Sequence, residues 1–178
     1  MESPKEPGDL MTPDIMTPDK PAVPDIRVRI SESPVYLHSE RNAIIVPTRC
    51  GGLVSFEGIV RDTNLGRPVE FMIYEAYEAL AIKEITKIGG EAAAQFGLAA
   101  VYVVHRIGRL EIGATAVVVT AIAGHRGEAF LGCKYVIDHL KVRAPLWKKE
   151  FYADGTHSWP RCSEHDHAAC SAHTHERS

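Results

Sequence analysis

The segment TAVVVTAIAGHRGEAFLGCKYVIDHLKVRAPLWKKEFY, residues 115–152, predicts a strand, a helix and another strand in succession. Its first nine residues are nearly continuous in apolar side chains, which is typical of a central strand buried on both faces. A helix is predicted from about residue 128 to residue 142, with Cys133, Ile137 and Leu140 on its inward face. Pro145 ends this helix, because the residue before a proline avoids helical backbone geometry.

The residues before this segment predict the rest of an α+β fold. IRVRI alternates like a half-buried strand, and AAVYVVHRI predicts another strand. LVSFEGIVRD and VEFMIYEAY flank the turn-forming NLGRP at 64–68, so a hairpin is expected between them. Residues 77–96 then change to helical periodicity. The complete order favours a mostly antiparallel sheet with helices packed on it.

Composition divides the 178 residues into three regions. Residues 1–24 contain six prolines and the near-repeat MTPDIMTPD, which is typical of a disordered arm. Residues 25–159 carry the regular pattern and form one predicted domain. Residues 160–178 are polar and lack helical or strand periodicity, so we expect a flexible tail.

The bulk properties exclude several classes of protein. The net charge of −3 gives no global basic field, so we expect no nucleic-acid binding. No apolar run approaches the roughly 20 residues that span a bilayer, so we expect no membrane association. The acidic, proline-containing N-terminus differs from a signal peptide, which favours a cytoplasmic protein. Four cysteines in a chain of this length are not a disulfide framework, and Cys133 is expected to lie in the core.

Three lysines surround Pro145 and are candidates for chemistry. Lys141 lies in the last turn of the predicted helix, where it meets the negative end of the helix dipole. Lys148 and Lys149 lie on the predicted strand LWKKEFY and therefore point to opposite faces, so only one of them can share a pocket with Lys141. The strand alternation does not decide which one, and solvent-exposed lysines at a sheet edge are the alternative.

A second candidate site opens the same helix. His125 and Arg126 follow the central strand and lie at the helix N-terminus, where free backbone N–H groups favour an anion. The alternative is that His125 caps the helix or packs beneath it. Arg61 and the pair His105–Arg106 end other strands, and the pattern alone does not choose between these arginines.

The histidines and cysteines of the tail could bind a metal loosely. They contain no C-x-x-C pair and no apolar framework to fix a coordination geometry, so we expect no structural metal site.

Several motifs together are similar to the large, catalytic subunit of molybdopterin synthase. They are FEGIVRD at 56–62, YEAY at 74–77, HRIGRLEIG at 105–113, HRGEAF at 125–130, LKVRAPLWKKE at 140–150 and DGTHSW at 154–159. The resemblance implies an α/β-hammerhead fold and conversion of cyclic pyranopterin monophosphate (precursor Z) into molybdopterin by installing a dithiolene. The sulfur would come from a C-terminal Gly-Gly thiocarboxylate on a small ubiquitin-like subunit.

The resemblance also implies an assembly and a set of site residues. Two large subunits would form a homodimer, with one small subunit on each, giving a heterotetramer that needs no cofactor and no metal. The implied residues are catalytic Lys141 and Lys148, substrate-binding His125, Arg126 and Arg61, and Phe56 and Ile137 for the partner's tail. Under this interpretation Lys149 is a surface lysine, and Trp147 anchors the strand.

Two other functions are compatible with parts of the pattern. One is a non-catalytic module that captures ubiquitin-like C-terminal tails, which needs a groove but no acid–base residues. The other is a metal-handling protein that depends on residues 160–178.

Overall fold

The computed structural model describes residues 23–159, so the predicted tail at 160–178 and nearly all of the predicted arm at 1–24 lie outside the described residues. The strands and helices are β1 Asp25–Ser31, α1 Leu37–Asn42, β2 Gly52–Ile59, β3 Thr63–Asn64, β4 Arg67–Ala76, α2 Glu78–Phe96, β5 Leu98–Arg106, β6 Gly108–Glu111, β7 Thr115–Ala123, α3 Arg126–Arg143, β8 Leu146–Tyr152 and β9 His157–Ser158.

The first of two sheets has the strand order β1-β5-β7-β2. β1 runs parallel to β5, and the other neighbours are antiparallel. All nine residues of β7 are buried, so the prediction of a central strand is confirmed. A run of valine, isoleucine and alanine suits this position because side chains on both faces of the strand enter apolar surroundings.

Helices α2 and α3 cover one face of this sheet and form the main core with it. Glycines allow the two helices to approach the sheet closely. A Cβ atom at Gly132 would lie 2.6 Å from Leu98 Cδ1, and one at Gly89 would lie 2.9 Å from Ile26 Cγ2. Cys133 and Leu140 are buried in the same core, which confirms the predicted inward face of α3.

Helix α3 runs back along β7. Only Gly124 and His125 separate the two elements, and α3 contacts both β7 and β2. The two lengths match, since 18 helical residues and nine strand residues each span roughly 27–30 Å. The helix ends where Ala144, the residue before Pro145, has the extended backbone angles φ −71° and ψ 134°. The prediction that Pro145 ends the helix is therefore confirmed.

The second sheet contains β3, β4, β8 and β9, with β6 also paired to β4. β4 is thus hydrogen-bonded to β8 and to β6 along the same residues, 71–74. One face of this sheet covers a second, smaller core that includes Val60, Met72 and Leu110.

One prediction about pairing is wrong, and four short elements were not predicted. The expected hairpin between LVSFEGIVRD and VEFMIYEAY does not form, because β2 pairs with β7 while β4 pairs with β3, β6 and β8. The turn-forming residues 64–68 do make a turn, but it joins only the two-residue β3 to the start of β4. The missed elements are α1, β3, β6 and β9, and all four are short.

The mostly antiparallel α+β fold is confirmed, although the strands form two sheets. Within residues 23–159, no helix is both long and apolar enough to cross a membrane.

Candidate active site

Lys148 is held by an ion pair with a buried glutamate. Its Nζ lies 2.9 Å from Oε1 of Glu150, and the two side chains are 17% and 2% exposed. Both residues lie on the face of β8 that also carries Tyr152, as the strand alternation predicts. The paired residues on β4, Tyr74 and Met72, belong to the second core, so this face of the sheet is the inner one.

The Glu150 carboxylate has two further hydrogen-bond donors. Asn64 Nδ2 donates to Oε2 at 2.7 Å, and the Tyr152 hydroxyl donates to the same oxygen at 2.8 Å. The Tyr152 hydroxyl also lies 2.9 Å from Ser158 Oγ. Burial acts to raise the pKa of Glu150, but the hydrogen bond and charge of Lys148, with the bonds from Tyr152 and Asn64, outweigh it and lower the pKa below 4.5. The carboxylate is therefore ionised at neutral pH, with Lys148 as its ion-pair partner.

Lys149 lies on the outer face of the sheet. Its Nζ is 5.1 Å from the ring centroid of Phe151 and 5.3 Å from that of Trp159, which are cation–π contacts. Trp147, on the same face, is 51% exposed. The expectation that Trp147 anchors the strand is wrong, because the buried side of β8 is the one that carries Glu150 and Tyr152.

Lys141 lies half-buried in the last turn of α3. The helix joins β8 through Ala144 and Pro145 alone, and Leu146 N donates to Ala144 O at 2.7 Å. Tyr77 N donates to Pro145 O at 3.3 Å, which attaches this junction to the start of α2. The tight junction keeps the end of α3 next to the start of the strand that carries Lys148.

Arg61 is exposed and follows the end of β2. The residues on either side of it connect the two sheets: Val60 N donates to Ala114 O at 3.0 Å, and Asp62 O accepts from Val69 N at 2.7 Å. Asn64, which binds Glu150, comes three residues later. Arg61 therefore lies at the end of the molecule where β2 finishes and the Lys148 network begins.

His125 and Arg126 lie at the other end of α3. His125 is the N-cap residue, but its side chain makes no capping hydrogen bond, and both side chains are exposed. The alternative that His125 caps the helix or packs beneath it is therefore wrong. Gly51 N donates to Gly124 O at 3.0 Å, and a Cβ atom at Gly52 would lie 2.7 Å from His125 O, so these two glycines fix the start of α3.

The length of α3 divides the predicted site residues into two groups. Arg126 and Lys141 are fifteen residues apart on one helix, which corresponds to about 22 Å. Lys141, Lys148 and Arg61 lie toward the end of the molecule where α3 finishes, whereas His125 and Arg126 lie at the opposite end. Within one chain the structure does not bring all five residues together.

His105 is a core residue. It is 3% exposed, its Nδ1 lies 2.9 Å from Arg106 O, and its ring meets that of Tyr74 edge-on at 4.9 Å. Burial lowers the pKa of His105 to about 4, so the ring is neutral at physiological pH.

The two residues predicted to contact a partner's tail differ in accessibility. Phe56 on β2 is 37% exposed, whereas Ile137 is 6% exposed and packs in the main core. Ile137 therefore offers little side-chain surface to a partner.

Sequence reasoning missed Asn64, Glu150 and Tyr152. The one available signal was the alternation that places Glu150 and Tyr152 beside Lys148, because a carboxylate two residues from a lysine on a strand shares its face. Within residues 23–159, no group of three or more histidine, cysteine, aspartate or glutamate side chains could hold a metal ion.

Comparisons with known proteins agree with this fold and these motifs. The model of the family described as MoaE protein matches residues 30–143, which include Lys141 but not Lys148. The molybdopterin synthase catalytic subunit of Pyrococcus abyssi is 45% identical over 116 residues, which cover 65% of this chain and 78% of that protein.

Two solved structures share the fold. Molybdopterin synthase from Staphylococcus aureus is 32% identical with a TM-score of 0.66, and the match covers 76% of this chain and 95% of that one. A protein–protein complex of subunits 1 and 2 of molybdopterin-converting factor from Helicobacter pylori contains a chain that is 20% identical with a TM-score of 0.56, covering 79% of this chain and 91% of that one. The resemblance in the sequence is confirmed: the chain belongs to the MoaE protein family of molybdopterin synthase catalytic subunits.

Proposed function

We propose that this chain transfers sulfur from the C-terminal thiocarboxylate of a small ubiquitin-like subunit to cyclic pyranopterin monophosphate, and that two such transfers, each supplying one sulfur atom, form the dithiolene of molybdopterin. The observation that carries the proposal is the pairing of Lys148 with the buried Glu150, in a motif that continues from Lys141 at the end of α3. A buried ion pair is costly unless its geometry is good and the remaining hydrogen bonds are satisfied, so its presence in this motif supports a role in chemistry.

Two lysines suit this reaction because both reactants are anions. The thiocarboxylate and the cyclic phosphate bring negative charge, and local ammonium groups compensate for the acidic net charge of the chain. Opening the cyclic phosphate and removing oxygen from carbon both require protons at the leaving groups, which a lysine can deliver. A neutral lysine could instead attack the thiocarboxylate carbonyl, so that a C–N bond replaces the C–S bond and the sulfur leaves as hydrosulfide, which adds to the pterin. Both roles place Lys141 and Lys148 at the reacting atoms.

We assign the phosphate of the substrate to His125, Arg126 and Arg61. An arginine at a helix N-terminus provides a planar pair of donors beside free backbone N–H groups. The 22 Å between the ends of α3 is too long for one pterin phosphate to contact both ends. We therefore infer that His125 and Arg126 of one subunit complete the lysine site of a second copy in a homodimer.

We assign contact with the partner's tail chiefly to Phe56, whose ring is partly exposed on β2. Ile137, the other assigned residue, lies beneath the surface. The Helicobacter pylori structure contains two kinds of subunit. The same arrangement here would give a heterotetramer with one small subunit on each large subunit.

The function is tested by incubating the full chain with precursor Z and a thiocarboxylated small subunit, and measuring molybdopterin as its oxidised fluorescent derivative. We expect product from the wild type and almost none from Lys141→Ala. Binding of the tail without product from any thiocarboxylated small subunit would support the non-catalytic module. A wild-type yield from Lys141→Ala would remove that residue from the mechanism.

The shared site is tested by mixing two inactive variants, Lys148→Ala and Arg126→Ala. If each site uses residues of both subunits, random exchange of subunits makes half of the dimers mixed, and each mixed dimer has one intact site of its two. The mixture should then recover about a quarter of the wild-type activity. If each site lies within one subunit, the mixture stays inactive.

A further inference from the structure

We propose that Arg67 is a positioning residue: it holds the β3–β4 turn against the β8–β9 turn and so fixes the Glu150 carboxylate beside Lys148. The inference rests on the proposed function, because that function places Lys148 at the reacting atoms. It goes further by identifying the side chain that keeps the Lys148 network in one arrangement.

The β3–β4 turn contains a residue that disfavours the backbone conformation it adopts there. Its two central residues, Leu65 and Gly66, both have positive φ angles, 49° and 74°. A two-residue hairpin turn of this kind favours asparagine or glycine at the first position, and a leucine there is strained. Strained residues persist when surrounding contacts hold them in place. Asn64, the donor to Glu150, immediately precedes this turn.

Arg67 makes the contacts that hold the turn. It lies directly across the strand pair from Asn64. Its guanidinium carbon lies 3.6 Å from the ring centroid of Tyr152, and its Nη2 donates to Asp154 Oδ2 at 3.0 Å and also to Thr156 Oγ1. One side chain beside the first turn is therefore bound to two residues of the second turn and to the last residue of the strand that enters it.

The second turn is itself held so that it can receive Arg67. Asp154 Oδ1 accepts from the backbone N–H of Thr156 at 2.9 Å, and Tyr152 N donates to Thr156 O at 2.9 Å. Hydrogen bonds from the side chain and backbone of Thr156, followed by the bond from Arg67, lower the pKa of Asp154 to about 2. The aspartate is therefore charged throughout the physiological range.

Both donors to Glu150 Oε2 depend on this contact between the turns. Asn64 comes from the first turn and Tyr152 from the strand that enters the second, and Arg67 touches the ring of Tyr152 while pairing with Asn64. Without Arg67, the strained turn can relax and withdraw Asn64. Glu150 then loses its fixed orientation, and so does the Lys148 ammonium that it binds at Oε1.

The same sheet provides a matched control. Arg109 on β6 also stacks on an aromatic ring, with its guanidinium carbon 3.5 Å from the centroid of Phe71. It also pairs with a carboxylate, since its Nε lies 2.6 Å from Glu111 Oε1. These contacts lie on the outer face, away from Glu150. Arg109→Met therefore removes the same kind of interaction without disturbing Lys148.

The experiment compares Arg67→Met, Arg67→Lys and Arg109→Met in the full chain with the thiocarboxylated small subunit and precursor Z. We expect kcat to fall about tenfold in Arg67→Met with KM unchanged, the effect of losing one hydrogen bond to a charged group. Arg67→Lys should recover part of kcat, because an ammonium can pair with Asp154 but cannot stack as a plane. Arg109→Met should retain the wild-type kcat.

A second measurement does not depend on activity. Brief acetylation of the free proteins, followed by mass spectrometry, gives the reactivity of Lys148 relative to Lys149. We expect Lys148 to react several-fold faster in Arg67→Met than in the wild type or Arg109→Met. If the wild type makes no molybdopterin, the proposed function fails while the labelling still tests Arg67.

The inference is overturned if Arg67→Met keeps both the wild-type kcat and the wild-type labelling of Lys148. It is also overturned if Arg109→Met loses as much activity as Arg67→Met, because the effect would then be one of general stability. If Arg67→Met does not fold, the kcat of Arg67→Lys and its labelling of Lys148 are compared with those of the wild type and Arg109→Met instead.

Discussion

Replacing Lys148 by methionine tests the ion pair on which the site depends. The substitution keeps most of the apolar stem but leaves the Glu150 carboxylate, 2% exposed, without its cation. Breaking a buried pair from one side costs about 3–5 kcal/mol, and we expect about 3 kcal/mol because Asn64 and Tyr152 still donate to Oε2. Lys149→Met is the control, since it loses only outer-face cation–π contacts that contribute about 0.5–1 kcal/mol.

Urea denaturation followed by circular dichroism measures this difference. With a slope of about 2 kcal/mol per molar urea, the midpoint of Lys148→Met should fall by about 1.5 M at pH 7. The midpoint of Lys149→Met should fall by less than about 0.5 M.

The pH dependence of the lost unfolding free energy identifies the cause of the destabilisation. In the wild type the pKa of folded Glu150 lies below the ordinary 4.5, so its stabilisation is fully present above pH 4.5 and is lost as the pH falls through the folded pKa. In Lys148→Met, burial is no longer opposed by the lysine, so the pKa of Glu150 rises and the carboxylate takes a proton at higher pH. The difference in unfolding free energy should therefore shrink to about 1 kcal/mol or less near pH 4. An equal loss of unfolding free energy at pH 4 and pH 7, or an equal loss in Lys149→Met, would contradict a stabilising ion pair between Lys148 and Glu150.

Three further outcomes follow from the same structure. Gly52→Ala should raise the KM for precursor Z several-fold, because the new Cβ atom would stand 2.7 Å from the backbone carbonyl oxygen of His125 and shift the phosphate site that we propose at the N-terminus of α3. Gly90→Ala is the control, because open space surrounds Gly90 and the KM should not change. Equal KM values in the two variants would count against the proposed phosphate site. Burial raises the pKa of Cys133 to about 11, so this thiol should react slowly with iodoacetamide at pH 8. We expect the reagent to label the half-buried Cys50 in the folded chain and to reach Cys133 only after unfolding. Early labelling of Cys133 would contradict its burial. Deleting residues 160–178 should leave sulfur transfer intact, and a loss of activity would favour a function that depends on the tail.

Local patterns predicted the elements around the site because short-range physics determines them. Apolar continuity identified β7, periodicity identified α3, and Pro145 ended the helix where expected. The hairpin prediction failed because the turn at 64–68 is a local feature, whereas the partner of β2 is β7, more than fifty residues later. Sheet pairing at that separation depends on how the whole core packs.

The choice between Lys148 and Lys149 shows a second property of the site that local sequence patterns do not predict. Strand alternation correctly placed them on opposite faces but did not decide between them, and only the family resemblance selected Lys148. In the structure the inner face is the one where Glu150 pairs with Lys148. A charged residue can be predicted to be buried only when the residues that pair with it are known, and these come from distant parts of the chain.

The most direct test of the catalytic role proposed for Lys148 compares Lys148→Ala with Lys149→Ala in the reconstituted reaction. Molybdopterin formation is measured as an initial rate, at a temperature where circular dichroism shows both variants to be folded. We predict that Lys148→Ala loses about a hundredfold or more of the rate, as expected for a residue that transfers protons or attacks the donor, while Lys149→Ala keeps the wild-type rate. A wild-type rate from Lys148→Ala, or an equal loss in both variants, would contradict it.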